Sequence, residues 1–183
     1  PAIAPRLYGA LAALAALAGL AAWLWMYPLD KWVAGTLLAA WMALVIARPG
    51  IWLVALPALW PVIDLAPWTG QIYFTESDAL ALATLLALGL RETVSPPAPT
   101  LSGRAPVKLN VAALVLFGLL AGSVLVSGLR GLLPLPALEP DALINYSSTL
   151  NALRVGKGFG LAFALIPFLH LAIRRDGEPA LTR

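Results

Sequence analysis

Cysteine is absent from the 183-residue chain, and histidine occurs once, as His170. These shortages exclude a disulfide, a thiolate metal site, a cysteine nucleophile and a multi-histidine metal centre. Charged residues make up only 11% of the chain, whereas 61% of its residues are hydrophobic. An ordinary soluble domain is about 25% charged, so this chain has too few charges to cover a globule with polar surface. The composition excludes a soluble enzyme, a disordered tail and a nucleic-acid-binding module, and indicates an integral membrane protein.

Six apolar stretches approach the length of about 20 residues that a helix needs to cross a bilayer. They are residues 7–27, 31–47, 51–66, 72–90, 109–129 and 155–173. The expected fold class is all-α, a polytopic transmembrane helical protein with about six spans. Pro57 and Pro61 interrupt the third stretch, and acidic residues open the fourth, so a re-entrant pair is the alternative there. The first stretch exceeds the 7–15 residues of a signal-peptide core, so we expect a retained helix.

The basic residues predict an orientation. With a cytoplasmic N-terminus and six alternating spans, eight of the 12 Lys and Arg residues lie in the cytoplasm. The four on the outer side are Lys31, Arg130, Arg154 and Lys157. This asymmetry satisfies the positive-inside rule and places both termini in the cytoplasm. Several indoles then fall near the outer interface, where tryptophan is enriched: Trp23, Trp25, Trp32 and Trp68.

A segment rich in proline and serine, TVSPPAPTLSGRAP at residues 93–106, is typical of a flexible linker. The predicted organisation is a four-span half at residues 1–92, a cytoplasmic linker at 93–108 and a two-span half at 109–183. An external loop at residues 130–151 joins the last two spans. Small residues spaced four apart, Gly118 with Gly122 and Gly156 with Gly160, predict close helix packing in the second half.

The outer basic residues form the first candidate site. Arg154 and Lys157 are three residues apart and share a helix face with Asn151. Because cations on the outer side oppose the general trend, they suggest a ligand. Together with Arg130 they are candidates for binding an anionic headgroup, such as the diphosphate of a lipid-linked sugar. The alternative is that their side chains snorkel to the interface beside acidic residues of the external loop.

An outer acidic cluster is the second candidate site. Asp64, Glu76 and Asp78 lie within PVIDLAPWTGQIYFTESD, residues 61–78. These carboxylates are candidates for binding a cation or a sugar. The alternative is that Glu76 and Asp78 cap the fourth helix, where the positive end of the helix dipole favours them.

His170 lies near the inner end of the last span and is a candidate ligand for the metal of a haem or chlorophyll. The alternative is an interfacial histidine with local hydrogen bonds. No Ser-His-Asp set, HExxH motif or glycine-rich nucleotide loop occurs in the sequence, so no catalytic residue is predicted and the sequence requires no cofactor.

Two stretches carry a family resemblance. They are PVIDLAPWTGQIYFTESDALALATLLALGLR, residues 61–91, and LRGLLPLPALEPDALINYSSTLNALRVGKGF, residues 129–159. Together they resemble the N-terminal part of bacterial polytopic membrane proteins of the O-antigen ligase and polymerase type. The resemblance implies a bacterial inner-membrane location and membrane lipids and undecaprenyl-linked glycan as partners. Those enzymes have more spans and a large periplasmic loop with the Arg and His residues linked to catalysis. The resemblance therefore implies a fragment, a truncated relative or a reused subunit that is non-catalytic as it stands.

An accessory structural subunit of a larger respiratory or photosynthetic membrane complex is the alternative function. Such a subunit fills interfaces between other membrane subunits and binds lipid or pigment. The missing catalytic set, the small-residue helix faces and the tryptophan-rich first half favour this interpretation. A small transporter is a third interpretation, which only the interrupted third span favours.

Overall fold

The structure is a computed structural model, and it describes residues 3–63, 69, 73–94, 111–135 and 148–176. Within these ranges the secondary structure is helical. The helices are α1 (Ile3–Met26), α2 (Lys31–Ala47), α3 (Trp52–Leu59), α4 (Glu76–Val94), α5 (Val111–Leu132) and α6 (Asn151–Asp176). The predicted all-α fold class is therefore confirmed.

Three helices are long and apolar enough to cross a membrane: Pro5–Met26 in α1, Leu114–Leu132 in α5 and Asn151–Ala172 in α6. Their lengths of 22, 19 and 22 residues correspond to about 28–33 Å of helix. The apolar helix α2 is shorter, with 17 residues, and α3 has eight. The helix α4 has 19 residues but begins with two carboxylates. The described residues thus contain three candidate spans, and a total of six stays a prediction.

Local signals account for the helix ends. The helix α1 ends at Met26, two residues before Pro28, which disfavours a helical conformation for the residue that precedes it. Asp30 caps α2, because its Oδ1 atom accepts hydrogen bonds from the backbone N–H groups of Trp32 and Val33, at 2.8 and 3.2 Å. The last two helices extend beyond their predicted bounds, so Arg130 and Asn151 are helical instead of lying in the external loop.

The chain divides into two compact units, one of Pro1–Pro99 with Phe163–Arg183 and the other of Thr100–Ala162. The boundary that the sequence predicts, at residues 93–108, lies mostly outside the described residues. In the first unit α4 is the central helix, and every residue from Glu76 to Gly89 is buried. The helices α1, α2 and α3 pack against it. A helix that is apolar on all sides is suited to such a position.

The contact face of α1 has a spacing of alternately four and three residues. Its buried members are Gly9, Ala13, Ala16, Leu20 and Trp23, and the buried Tyr27 continues the spacing just after the helix. This is the heptad spacing of two helices that cross at a shallow angle. The residues near the start of the face are small, so the two backbones come close there. The leucines of the opposite side, Leu7, Leu11, Leu14 and Leu17, are exposed, as suits a surface that faces lipid.

The contact between α2 and α4 contains a buried hydrogen-bond chain. The indole Nε1 of Trp41 donates to the Thr84 hydroxyl at 2.9 Å, and that hydroxyl donates to the carbonyl of Leu80 at 2.8 Å. Thr84 has no exposed surface. Both polar side chains are therefore satisfied inside the apolar contact, where an unpaired donor is costly.

The first half of α1 contacts the second half of α6. The Tyr8 hydroxyl donates to the carbonyl of Ala164 at 2.7 Å, and the Tyr8 ring lies 5.4 Å from that of Phe168. Pro167 lies within α6 and lacks the N–H that would bond the preceding turn.

The second unit has little internal burial. No residue of the apolar stretch of α5 is buried. The glycines predicted to pack closely, Gly118, Gly122, Gly156 and Gly160, have nothing within 4 Å of a Cβ built on them. The close approach lies elsewhere, because a Cβ on Gly131 would lie 2.8 Å from the Cβ of Ala152. The end of α5 therefore meets the first turn of α6.

Candidate functional site: a basic helix end and an acidic helix end

The basic candidate site is built around the start of α6. Before the helix, the Ser148 hydroxyl accepts a hydrogen bond from the backbone N–H of Leu150 at 3.2 Å, and the Ser148 carbonyl accepts one from Asn151 at 2.9 Å. This turn leads the chain into the helix at Asn151. The N–H groups of Asn151, Ala152 and Leu153 donate to the carbonyls of Ser148, Thr149 and Leu150, so this helix start offers an anion a partial positive charge rather than free donors. The start of α6 is thus electrically suited to an anion.

Arg154 is held in place by Asn151. The guanidinium Nε donates to the Asn151 Oδ1 atom at 2.8 Å. Because the two residues are three apart, they lie on one helix face, and Lys157 follows after three more. All three side chains are half-buried. The hydrogen bond limits the rotation of the guanidinium, whose fork of donors matches the oxygens of a phosphate.

Arg130 lies at the end of α5 that meets the first turn of α6; α5, α6 and the segment that joins them are called the α5–α6 hairpin below. It is exposed and lies in the last turn of α5, immediately before the Gly131 that approaches Ala152. The structure therefore brings Arg130 and Asn151 to adjacent helix ends. The acidic residues that would pair with these cations, Glu139 and Asp141, lie outside the described residues.

The three carboxylates of the acidic candidate cluster do not form one site in the described part of the chain. Asp64 lies outside the described residues. The Asp78 Oδ2 atom accepts from both the backbone N–H and the hydroxyl of Thr75, at 2.8 and 2.9 Å. This is one half of a capping box, in which the side chain three residues into the helix bonds back to the residue before it, and it fixes the first turn of α4. Next to it, the Ser77 hydroxyl donates to the carbonyl of Ile63 at 2.8 Å.

Glu76 faces the end of α1 and is only 7% exposed. The Tyr27 hydroxyl forms a hydrogen bond with its carboxylate. Burial raises the pKa of the Tyr27 phenol above its usual value, and the charge of Glu76 and this hydrogen bond raise it further. The phenol of Tyr27 therefore stays neutral over the physiological range. The Trp23 ring lies 4.3 Å from the Tyr27 ring, and its Nε1 donates to the carbonyl of Phe74 at 2.9 Å.

His170 lies in the second half of α6 and is half-buried, two residues beyond the buried Phe168. Within the described part of the chain, no group of three or more His, Cys, Asp or Glu side chains is placed to hold a metal ion. A pigment with a single histidine ligand does not need such a group, so the role of His170 stays a prediction.

Sequence patterns did not identify two of the tertiary polar contacts, Trp41 with Thr84 and Tyr8 with Ala164. A threonine inside an apolar helix and a tyrosine near the start of another are visible signals. Neither residue by itself predicts its partner, because the partners are 43 and 156 residues away in the sequence and no helical periodicity relates them. The contact between Tyr27 and Glu76 also went unpredicted, although both residues flank helix ends.

Comparisons with protein-family models, curated proteins and solved structures give no match to this chain.

Proposed function

We propose that this protein is an integral membrane protein that binds the phosphate groups of a lipid-linked glycan at the basic end of the α5–α6 hairpin. The 2.8 Å hydrogen bond between Arg154 and Asn151 carries the proposal. It holds a cation in place at a helix start, beside the helix end that bears Arg130. The protein resembles the N-terminal part of polysaccharide ligases and polymerases, and it is non-catalytic as it stands.

Phosphate recognition suits this set of groups for two physical reasons. A guanidinium donates two parallel hydrogen bonds to a phosphate, whereas an ammonium such as that of Lys157 contributes a compact charge. The N–H groups at the start of α6 add a favourable dipole. An undecaprenyl diphosphate also has a long isoprenoid chain that remains in the bilayer, and the exposed apolar surface of α5 is compatible with such a chain. In the bacterial inner membrane, the positive-inside rule assigns this end to the outer face.

Removing both cations tests this proposal. We expect Arg154→Ala with Lys157→Ala to weaken binding of undecaprenyl diphosphate about 25-fold, since each basic residue near a membrane surface contributes about 1 kcal/mol. Binding is measured by native mass spectrometry on the purified full chain in mild detergent. In cells, the same variant is expected to reduce surface glycan.

The matched control is Arg104→Ala with Lys108→Ala, which removes the same residue types and the same charge from the predicted linker. Its binding is expected to equal that of the wild type. An equal loss of binding affinity in both double variants would show a general effect of charge. Unchanged affinity in the Arg154 and Lys157 variant would show that these residues do not form a lipid-phosphate site. Either result contradicts the proposal.

The alternative is an accessory subunit of a larger membrane complex, and the exposure of α5 favours it. No residue of its apolar stretch is buried within the chain. We expect such a subunit to co-purify with a complex in mild detergent, and migration as a single small species would exclude it. If His170 binds a pigment in that complex, His170→Leu is expected to bleach a visible absorption band. An unchanged spectrum would show that His170 does not bind a pigment.

A further inference from the structure

Two tryptophans at the turn between α1 and α2 are far more exposed than their neighbours. Trp25, in the last turn of α1, is 82% exposed, and Trp32, in the first turn of α2, is 86% exposed. Trp23 is only 3% exposed. Since each residue turns an α-helix by about 100°, Trp23 and Trp25 lie on nearly opposite sides of α1. Trp23 therefore packs on α4, while Trp25 faces the surroundings of the protein.

Lys31, which precedes Trp32 in the chain, contacts Trp25. Its Nζ atom donates to the carbonyl of Trp25 at 2.7 Å and lies 5.7 Å from the centroid of the Trp25 ring. That carbonyl is among the last four of α1, which have no donor within the helix. A cation is favourable at this negative end of the helix dipole. The hydrogen bond uses one of the three ammonium donors, so two are left for a ligand.

The neighbouring Asp30 carboxylate is oriented toward the start of α2. Asp30 Oδ1 accepts from the backbone N–H groups of Trp32 and Val33 at the start of α2. In the part of the chain that the structure describes, Lys31 has no ion-pair partner, and its recorded polar contact is the carbonyl of Trp25. The turn thus presents the Lys31 ammonium beside the exposed indole of Trp25, and the exposed indole of Trp32 follows Lys31 in the chain; each indole has an N–H donor.

We infer that this turn binds the phosphodiester of a membrane phospholipid. The ammonium of Lys31 complements its charge, and the indoles of Trp25 and Trp32 occupy the boundary between acyl chains and headgroups. The apolar stretch Pro5–Met26 ends at this turn, so the turn lies at the depth where the phosphates of a bilayer are found. A free phosphate ion would not account for two large exposed apolar rings, and a lipid does.

The first experiment measures binding of phosphatidylglycerol to the full chain by native mass spectrometry in mild detergent. We expect Lys31→Gln to weaken the binding of one lipid about five-fold, the effect of one basic residue near a membrane surface. The control is Lys108→Gln, which removes an identical charge from the predicted linker and is expected to bind as the wild type. Unchanged affinity in Lys31→Gln would overturn the inference, and so would equal loss in both variants.

The variant that lacks Arg154 and Lys157 separates this site from the basic end of the α5–α6 hairpin. It is expected to retain the Lys31-dependent phospholipid while losing undecaprenyl diphosphate. If inorganic phosphate alone bound with the same dependence on Lys31, a lipid occupant would be excluded.

The second experiment tests the depth of the indoles in phosphatidylglycerol vesicles. Lipids brominated near the headgroup are expected to quench the wild-type fluorescence more than the fluorescence of the double variant Trp25→Phe with Trp32→Phe. Equal quenching of the two proteins would place these indoles away from the interface and overturn the inference.

Discussion

The backbone of α1 at Gly9 touches the backbone of α4 at Gly89. A Cβ built on Gly89 would lie 2.5 Å from the carbonyl oxygen of Gly9 and 3.0 Å from the Cβ of Ala13. The obstacle is a backbone atom, which cannot move aside as a flexible side chain can. The two glycines therefore set the separation of the helices at this end of the first unit, whereas larger side chains fill the other end.

Replacement of Gly89 by alanine is expected to destabilise the protein by about 1–3 kcal/mol, because the added methyl group forces α1 and α4 apart. The control is Gly122→Ala, where a Cβ meets nothing within 4 Å. That change is expected to be neutral or stabilising by up to about 1 kcal/mol, since alanine favours a helix more than glycine does. The free energy of unfolding of each variant is measured in mixtures of a mild and a denaturing detergent, and the two values are compared. Equal stability of the two variants would contradict the close approach.

Replacement of Thr84 by valine keeps the shape of the side chain but removes the acceptor for the Trp41 indole. A buried N–H without a partner costs about 1–2 kcal/mol, so we expect that loss in the free energy of unfolding. Thr84→Ser is expected to restore most of it. Thr36→Val is the control, because the exposed Thr36 hydroxyl bonds within its own helix, to the carbonyl of Trp32. The proton resonance of the Trp41 indole N–H should shift in Thr84→Val only.

Glu76→Gln is expected to lower the pKa of Tyr27 toward its ordinary value of about 10, because it removes a nearby negative charge. A phenol whose pKa is raised on folding stabilises the folded state below the unfolded pKa. This contribution is lost as the pH rises through the folded pKa. The phenolate absorbance difference between the wild type and Tyr27→Phe, followed above pH 10, measures the titration. An identical titration in the Glu76→Gln background would exclude the coupling.

Tyr8→Phe is expected to destabilise the contact between α1 and α6 by about 1 kcal/mol, the typical value for one hydrogen bond between transmembrane helices. The ring contact with Phe168 is retained in this variant. Tyr8→Leu removes both contacts and is expected to cost more, since it also loses an aromatic pair. Unfolding in detergent compares the two, and the prediction fails if the hydroxyl deletion leaves stability unchanged.

Local rules predicted much of the chain organisation. The carboxylates of Glu76 and Asp78, which the helix dipole favours, predict the beginning of α4, and Asp78 bonds back to Thr75 there. The spacing of Asn151 and Arg154 likewise predicts a shared helix face, which their hydrogen bond shows. The span count is harder to obtain from sequence, because α2 and α4 lie close to the limits of length and charge at which a helix crosses a membrane.

The sequence by itself determined the membrane class, the helical fold and several helix ends, since composition and short-range hydrogen bonds decide these properties. Only the tertiary structure decided that α4 is the central helix and that Gly89, rather than Gly122, is a contact point. An apolar helix in a membrane has no polar face that distinguishes the protein side from the lipid side. Long-range pairs such as Trp41 with Thr84 therefore depend on the arrangement of whole helices, which no local pattern in the chain specifies.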